Sequence, residues 1–313
     1  MRASKRSRFG RGRGRDRDYR AGWPGWRPST KPWRQSIWVC PLRPLPYMTR
    51  GFTSEDWAEH NKTDKGVKDY KYFADWLPTT DGQMWMVGKR YEAKSLLNGM
   101  IAKWGLRNLQ SGAGLIDVGG DPGLLAAEAL ERGIKVTVID PAWGLSGKAD
   151  PELDRLLGTY GGAFRVIREP FNGDFFRKSE HAKLLRDMSA LVAVDPDQVT
   201  EFLLLFSVAR NCRMALIPCP NCKQFFPVQE RTFEGFLRAL KSKDDYLIKC
   251  LSDKGLGNVI PLERMDLLGS RYNNVTLQRT PVDPGGMDVE TYLARQTLLE
   301  NSVVSIWSKF LKK

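Results

Sequence analysis

A short apolar run carrying one acidic residue, then a glycine-rich turn, then a helical stretch, restricts this chain more than any other feature. The segment is Leu115-Ile116-Asp117-Val118-Gly119-Gly120-Asp121-Pro122-Gly123. Strand, tight turn and helix in that order bring bare backbone amides and a helix N-terminus up to a ligand. A dinucleotide turn wants Gly-x-Gly-x-x-Gly, which this segment lacks. A phosphate-binding loop wants Gly-Lys-Ser/Thr, which does not follow either.

The flanking pattern is regular. Leu96, Leu97, Met100, Ile101 and Trp104 recur at helical spacing and predict a helix over 89–109. After the glycine turn a helix is expected over 122–132 and a second strand over 134–139, closed by Asp140. Further strands are expected at 163–167, 190–194 and 213–217, with helices at 171–188 and 197–210 between them. Strands alternating with helices predict a mostly parallel sheet covered on both faces, an α/β architecture. A long helix over 231–251 and two closely spaced strands, 258–263 and 273–279, then predict an antiparallel hairpin. Residues 287–311 read as an amphipathic helix with Leu298, Val303, Ile306, Trp307 and Phe310 on its apolar side.

The Asp117–Gly123 segment resembles the first motif of the Rossmann-like S-adenosylmethionine-dependent methyltransferases, acidic-x-Gly-x-Gly-x-Gly. Asp117, Gly119 and Gly123 match it, and Asp121 replaces the middle glycine. The resemblance covers about 89–280 and implies a Rossmann-like methyltransferase fold whose sheet ends in a reversed hairpin. It implies S-adenosylmethionine as cofactor, with the turn Gly119, Gly120, Asp121 and Gly123 around the amino-acid end of the cofactor. It also implies that Asp140 accepts hydrogen bonds from the ribose hydroxyls, a role suited to a carboxylate facing a diol. Two readings of Asp121 stand: repulsion of the cofactor's carboxylate, or attraction of its ammonium.

Leu191-Val192-Ala193-Val194-Asp195-Pro196-Asp197 puts two carboxylates just past the end of a buried strand, the edge where ligands collect in open α/β sheets. Asp195 is the candidate for steering or deprotonating the acceptor. Asp197 is read as the N-cap of the next helix, with Thr200 and Glu201 in its first turn. Asp-Pro-Asp-Gln departs from the Asp/Asn-Pro-Pro-aromatic of base-amine methyltransferases. The stretch from Asp195 to Glu201, with Ile217-Pro218-Cys219 beyond, is more weakly similar to eukaryotic tRNA uridine 2′-O-methyltransferase-like proteins. Two departures mark that likeness: Pro220 stands where the family has a second Cys, and Asp195 where it has a His. A ribose hydroxyl needs help to lose its proton, and Lys94, on the helix before the turn, is the candidate lysine if the chain follows other 2′-O-methyltransferases. The lysine those enzymes carry after the fifth strand is missing between Cys212 and Cys219.

The net charge of +13 is unevenly spread. Residues 1–34 hold twelve Lys or Arg against Asp16 and Asp18, while the remaining 279 residues hold 37 basic and 34 acidic side chains. The reading is a disordered Arg/Gly-rich arm over 1–34 and an irregular aromatic-rich extension over 35–88. A methyltransferase-like unit follows over 89–285, then a C-terminal helix over 286–313. Trp23, Trp26 and Trp33 among the arm's arginines suit stacking on unpaired bases, so RNA is the expected partner. A solubilising tail is the other reading of the arm.

The five cysteines, Cys40, Cys212, Cys219, Cys222 and Cys250, make no disulfide framework and point to a reducing compartment. Nucleus or cytoplasm is expected, with mitochondrion or plastid as alternatives. No apolar run approaches the roughly 20 residues that span a bilayer, so no membrane partner is expected. The lone pair Cys219 and Cys222, with only His60 and His181 as histidines, leads to no expected metal. Two functions follow: a methyltransferase acting on RNA, tRNA or rRNA, with ribose 2′-O as an acceptor, or a catalytically inactive methyltransferase-like protein that binds RNA or a ribonucleoprotein.

Overall fold

The structure, a computed structural model, describes residues 79–141, 143–144, 155, 157–196, 199–219, 232–257, 259–267, 275–281 and 290–299. Readings made on the arm, on 35–78, on Asp197, on Cys222 and on the C-terminal helix beyond 299 lie outside them.

Helix α1 (Thr80–Trp104) starts where Thr79 leaves extended backbone and its hydroxyl accepts the Gly82 N–H at 3.3 Å. It stops at Gly105, whose φ of 81° admits no further helical residue, and the short α2 (Leu106–Leu109) follows. Seven strands then build one sheet: β1 (Gly114–Val118), β2 (Val136–Ile139), β3 (Phe164–Ile167), β4 (Met188–Val194), β5 (Met214–Ile217), β6 (Glu263–Asp266) and β7 (Val275–Arg279). Between them lie α3 (Leu124–Leu130), α4 (Gly173–Arg177), α5 (Ser179–Asp187), α6 (Thr200–Arg210) and α7 (Phe233–Ser252). A final helix, α8, covers 290–299.

The strand order is β3-β2-β1-β4-β5-β7-β6. β1 to β5 are parallel, and β7 runs antiparallel to both β5 and β6. This is an α/β, Rossmann-like fold, a mostly parallel sheet finished by an antiparallel hairpin. The central strands are apolar on both faces, as two-sided burial demands. Leu115, Ala190, Val192, Ala215 and Ile217 pack toward α1 and α3. Ile116, Leu191, Ala193, Met214 and Leu216 pack toward the opposite layer, with Phe206, Phe236 and Leu240. Each fully buried large side chain contributes on the order of 1.5–3 kcal/mol.

The reversed hairpin is fastened by a fully buried ion pair. The Arg279 guanidinium on β7 donates to the Asp244 carboxylate on α7, and both side chains are sealed from solvent. Asp244 also accepts the Leu262 N–H at 2.9 Å, and Arg279 donates to the Ile260 carbonyl.

Element bounds differ from the sequence reading in several places. α1 begins nine residues before the expected Lys89, inside the stretch read as irregular, and ends at Trp104. Its first half carries Met84, Val87 and Tyr91 on the outward side, which blurs the helical period there. The helix expected over 171–188 is split at Lys178, whose ψ of 121° is extended. The strand expected over 258–263 lies at Glu263–Asp266. This edge strand has exposed side chains and no apolar alternation, while the apolar Val259 and Leu262 bury in the connection before it. β2 begins at Val136, two residues late.

Candidate functional site

The registers decide what meets at the sheet's C-terminal edge. Asp117 lies beside Val192, Val118 beside Ile139, and Val194 beside Ile217. The turns after β1, β2 and β4 therefore open side by side, the position at which α/β sheets bind ligands.

The glycine turn is built for close approach. A Cβ on Gly120 would fall 2.5 Å from Asp117 Oδ2, so only glycine lets that carboxylate lie beneath the turn. Gly123 has φ of 98°, and a Cβ there would fall 2.8 Å from the Trp143 ring, so both conformation and space exclude a side chain. A Cβ on Gly119 would sit 3.5 Å from Pro196 Cα. The glycine turn thus touches the turn that carries Asp195.

Three carboxylates serve this edge in different ways. Asp117 is buried, and its Oδ2 has no hydrogen-bond partner. Burial, and then the nearby Asp140 charge, push its carboxyl up from 3.8 to about 7. Asp140, also buried, accepts the Asp121 N–H through Oδ2 at 3.1 Å. Asp121 turns its own carboxylate to the Gly144 N–H, 3.0 Å from Oδ1, so the residue that replaces the motif's middle glycine laces the β1 turn to the β2 turn. An orphaned buried acceptor, a second carboxylate at the end of β2 and a cradle that a Cβ would fill suit a ligand rich in cationic and hydroxyl donors. Asp117, the 119–123 turn and Asp140 are the residues that could hold a cofactor of that chemistry, such as S-adenosylmethionine.

Asp195 ends β4 in the left-handed region, φ 53°, a conformation that costs a non-glycine residue energy and concentrates at functional sites. Its N–H is held by the Ile217 carbonyl at 2.9 Å. Its carboxylate forms an ion pair with Lys89, which reaches across from α1. Lys89 is held at the same time by Glu92, 2.8 Å away and fully buried, and lies 6.0 Å from the centre of the Trp85 ring. Burial works against the ammonium, yet the Asp195 and Glu92 carboxylates outweigh it and raise the group above its ordinary value. Lys89 is therefore a fixed cation, not a base.

Lys94, the lysine expected from the sequence, is exposed on the outer side of α1. The structure brings Lys89 to Asp195 instead. Spacing held the signal: position 89 is three after Met86 and four before Ala93, both core residues, whereas Lys94 is three after the exposed Tyr91. A lysine on an apolar helical stripe needs an internal partner, and Asp195 with Glu92 are those partners.

Thr200 opens α6 behind Val199, which makes no side-chain cap. Glu201, in the first turn of α6, pairs with Lys243 of α7. Cys219 is buried just past β5. Among the described residues Glu169, Glu180 and His181 bring ligand-type atoms within 4.8 Å of one another. The Lys178 ammonium already sits 2.6 Å from Glu169 there. No helix among the described residues is long and apolar enough to cross a membrane.

No family model matches the chain, and no curated protein matches it. Among solved structures the chain is similar to an O-methyltransferase family protein from Burkholderia thailandensis, at TM-score 0.34 and 11% identity over 76% of this chain and 68% of that one.

Proposed function

We propose that this protein is an S-adenosylmethionine-dependent methyltransferase acting on a hydroxyl of RNA, the ribose 2′-oxygen of a tRNA or rRNA. The observation that carries the reading is the Lys89–Asp195 pair at the end of β4, in contact through Pro196 with the glycine turn. The cofactor, when bound, supplies an electrophilic methyl on a sulfonium. A hydroxyl acceptor grows negative as its proton leaves, and a fixed ammonium favours that charge. In this reading Asp195 receives the hydroxyl proton while Lys89 steadies the oxygen, and Glu92 with Trp85 holds Lys89 in place. The methyl would come from the sulfonium of the bound cofactor, which would leave as the thioether, and the proton displaced from the hydroxyl would go to the Asp195 carboxylate. RNA enters the proposal through the arm's charge and tryptophans, which suit a single-stranded polyanion.

Calorimetric titration of the full chain with S-adenosylmethionine and S-adenosylhomocysteine tests the cofactor. Binding is expected, and Asp140→Ala should abolish it. Heat from neither ligand overturns the enzyme reading. The second reading, a non-catalytic methyltransferase-like RNA binder, draws on two observations. Asp121 stands in place of the motif's middle glycine, and the Trp143 ring lies against Gly123.

A further inference from the structure

Four carboxylates stand at the C-terminal edge of the sheet, and three of them already face a donor or a cation. Asp140 accepts the Asp121 N–H at 3.1 Å, Asp121 accepts the Gly144 N–H at 3.0 Å, and Asp195 is paired with Lys89. Asp117 is the fourth. Its side chain is buried and its Oδ2 has no hydrogen-bond partner.

The elements around Asp117 offer it no counter-charge. The strands on either side set Val138 and Val192, both fully buried, in register with it. The cations of α1 are committed elsewhere, Lys89 to Asp195 and Glu92, and Arg90 to Glu128 of α3, which also holds Arg132. Among the described residues the charge that acts on Asp117 is that of Asp140, which has the same sign. Burial and that charge both favour the protonated form and push the carboxyl up to about 7. Over it lies Gly120, where a Cβ would fall 2.5 Å from Oδ2, so no side chain of the turn stands between the carboxyl and a ligand seated on the turn's backbone. A neutral carboxyl can still accept a hydrogen bond from a hydroxyl. An ammonium beside it favours the carboxylate instead.

We propose that Asp117 captures the ammonium of a bound ligand and gives up its own proton in doing so, which couples cofactor binding at this edge to proton release. The inference rests on the S-adenosylmethionine reading, because the amino-acid end of that cofactor carries such an ammonium. The O–H bond of the carboxyl breaks, its electron pair stays on the oxygen that faces the ammonium, and the proton passes to solvent. Below about pH 7 binding must displace this proton, so affinity climbs with pH up to that value and then levels.

Titration calorimetry of the full chain with S-adenosylhomocysteine, which keeps the ammonium and has no methyl to transfer, counts the exchanged protons when buffers of different ionisation heat are compared. At pH 6.0 a group near 7 should release about 0.9 proton per ligand. Affinity should rise about eightfold from pH 5.5 to pH 6.5, a range in which an α-amine of ordinary value about 7.7–8.0 stays charged. 5′-Methylthioadenosine, which lacks the amino-acid end, should release no proton and bind equally at both pH values. Asp117→Asn should abolish the release of protons by S-adenosylhomocysteine. Binding of S-adenosylhomocysteine without proton release overturns the coupling and leaves the methyltransferase reading standing. Equal release with 5′-methylthioadenosine, or undiminished release in Asp117→Asn, does the same. Binding of neither ligand overturns the methyltransferase reading, and this inference with it.

Discussion

Asp117→Asn should stabilise the protein at alkaline pH while damaging its candidate cofactor site. In the folded chain Asp117 is fully enclosed, its Oδ2 lacks a partner, and burial with the Asp140 charge raises its carboxyl from 3.8 to about 7. In the unfolded chain it ionises at the ordinary value. Below about pH 4 both states hold the proton, and the group costs nothing. Between about pH 4 and pH 7 the unfolded state loses its proton while the folded state keeps it, so stability falls as pH rises. Above about pH 7 the charge is buried, and the accumulated cost is about 4 kcal/mol at 1.36 kcal/mol for each tenfold change in proton affinity. Asparagine preserves shape and removes the ionisation. Urea unfolding followed by tryptophan fluorescence should find the variant more stable than wild type by about 2–4 kcal/mol at pH 8 and by only about 1 kcal/mol at pH 4.5. The same variant should bind S-adenosylmethionine more weakly if Asp117 serves a bound donor. A stability difference that is the same at both pH values would refute the reasoning, because only ionisation of Asp117 makes it pH-dependent.

Lys89→Met removes the cation shared by Asp195 and buried Glu92 and should cost about 3–5 kcal/mol at pH 7 in urea unfolding. Adding Glu92→Gln should recover part of that loss, and no recovery would contradict the clamp. Because the two carboxylates raise Lys89, its stabilising contribution should persist through neutral pH and fade only above the ordinary lysine value near 10.4. Asp244→Ala strands Arg279 in the core and should also cost about 3–5 kcal/mol, read as a lowered urea midpoint. Deleting residues 1–34 should weaken RNA binding and flatten its salt dependence in fluorescence anisotropy while cofactor affinity is unchanged, since the arm holds ten of the thirteen net positive charges. If cofactor affinity falls as well, the division between arm and body is wrong.

The central sheet was legible because its strands are continuous apolar runs separated by helical periods. Leu115–Val118 and Leu191–Val194 have few other places to go than the middle of a parallel sheet. Elements whose residues face two ways were harder to read. α1 carries apolar side chains inward at Met86 and outward at Val87, so its first half looked irregular. β6 is short and polar at a sheet edge, where pairing is decided by β7 and not by its own side chains. Lys89 was passed over for Lys94 because the stripe that sets Lys89 inward begins in that same misread half of the helix.

Sequence alone determined the layered α/β architecture, the glycine turn after β1, the carboxylates Asp117, Asp140 and Asp195 at strand ends, and the separation of a basic arm from a balanced body. These are local properties, set by hydrophobic period, by backbone conformations that only glycine tolerates, and by the summed charge of a segment. Tertiary structure alone decided that Lys89 meets Asp195, 106 residues away. It also decided that Asp121 turns to Gly144, and that Asp117 is left buried with an open acceptor. Those outcomes depend on strand register and on which face of a helix meets the sheet. A side chain's partner and its ionisation follow from the groups packed around it, and most of those lie far away along the chain.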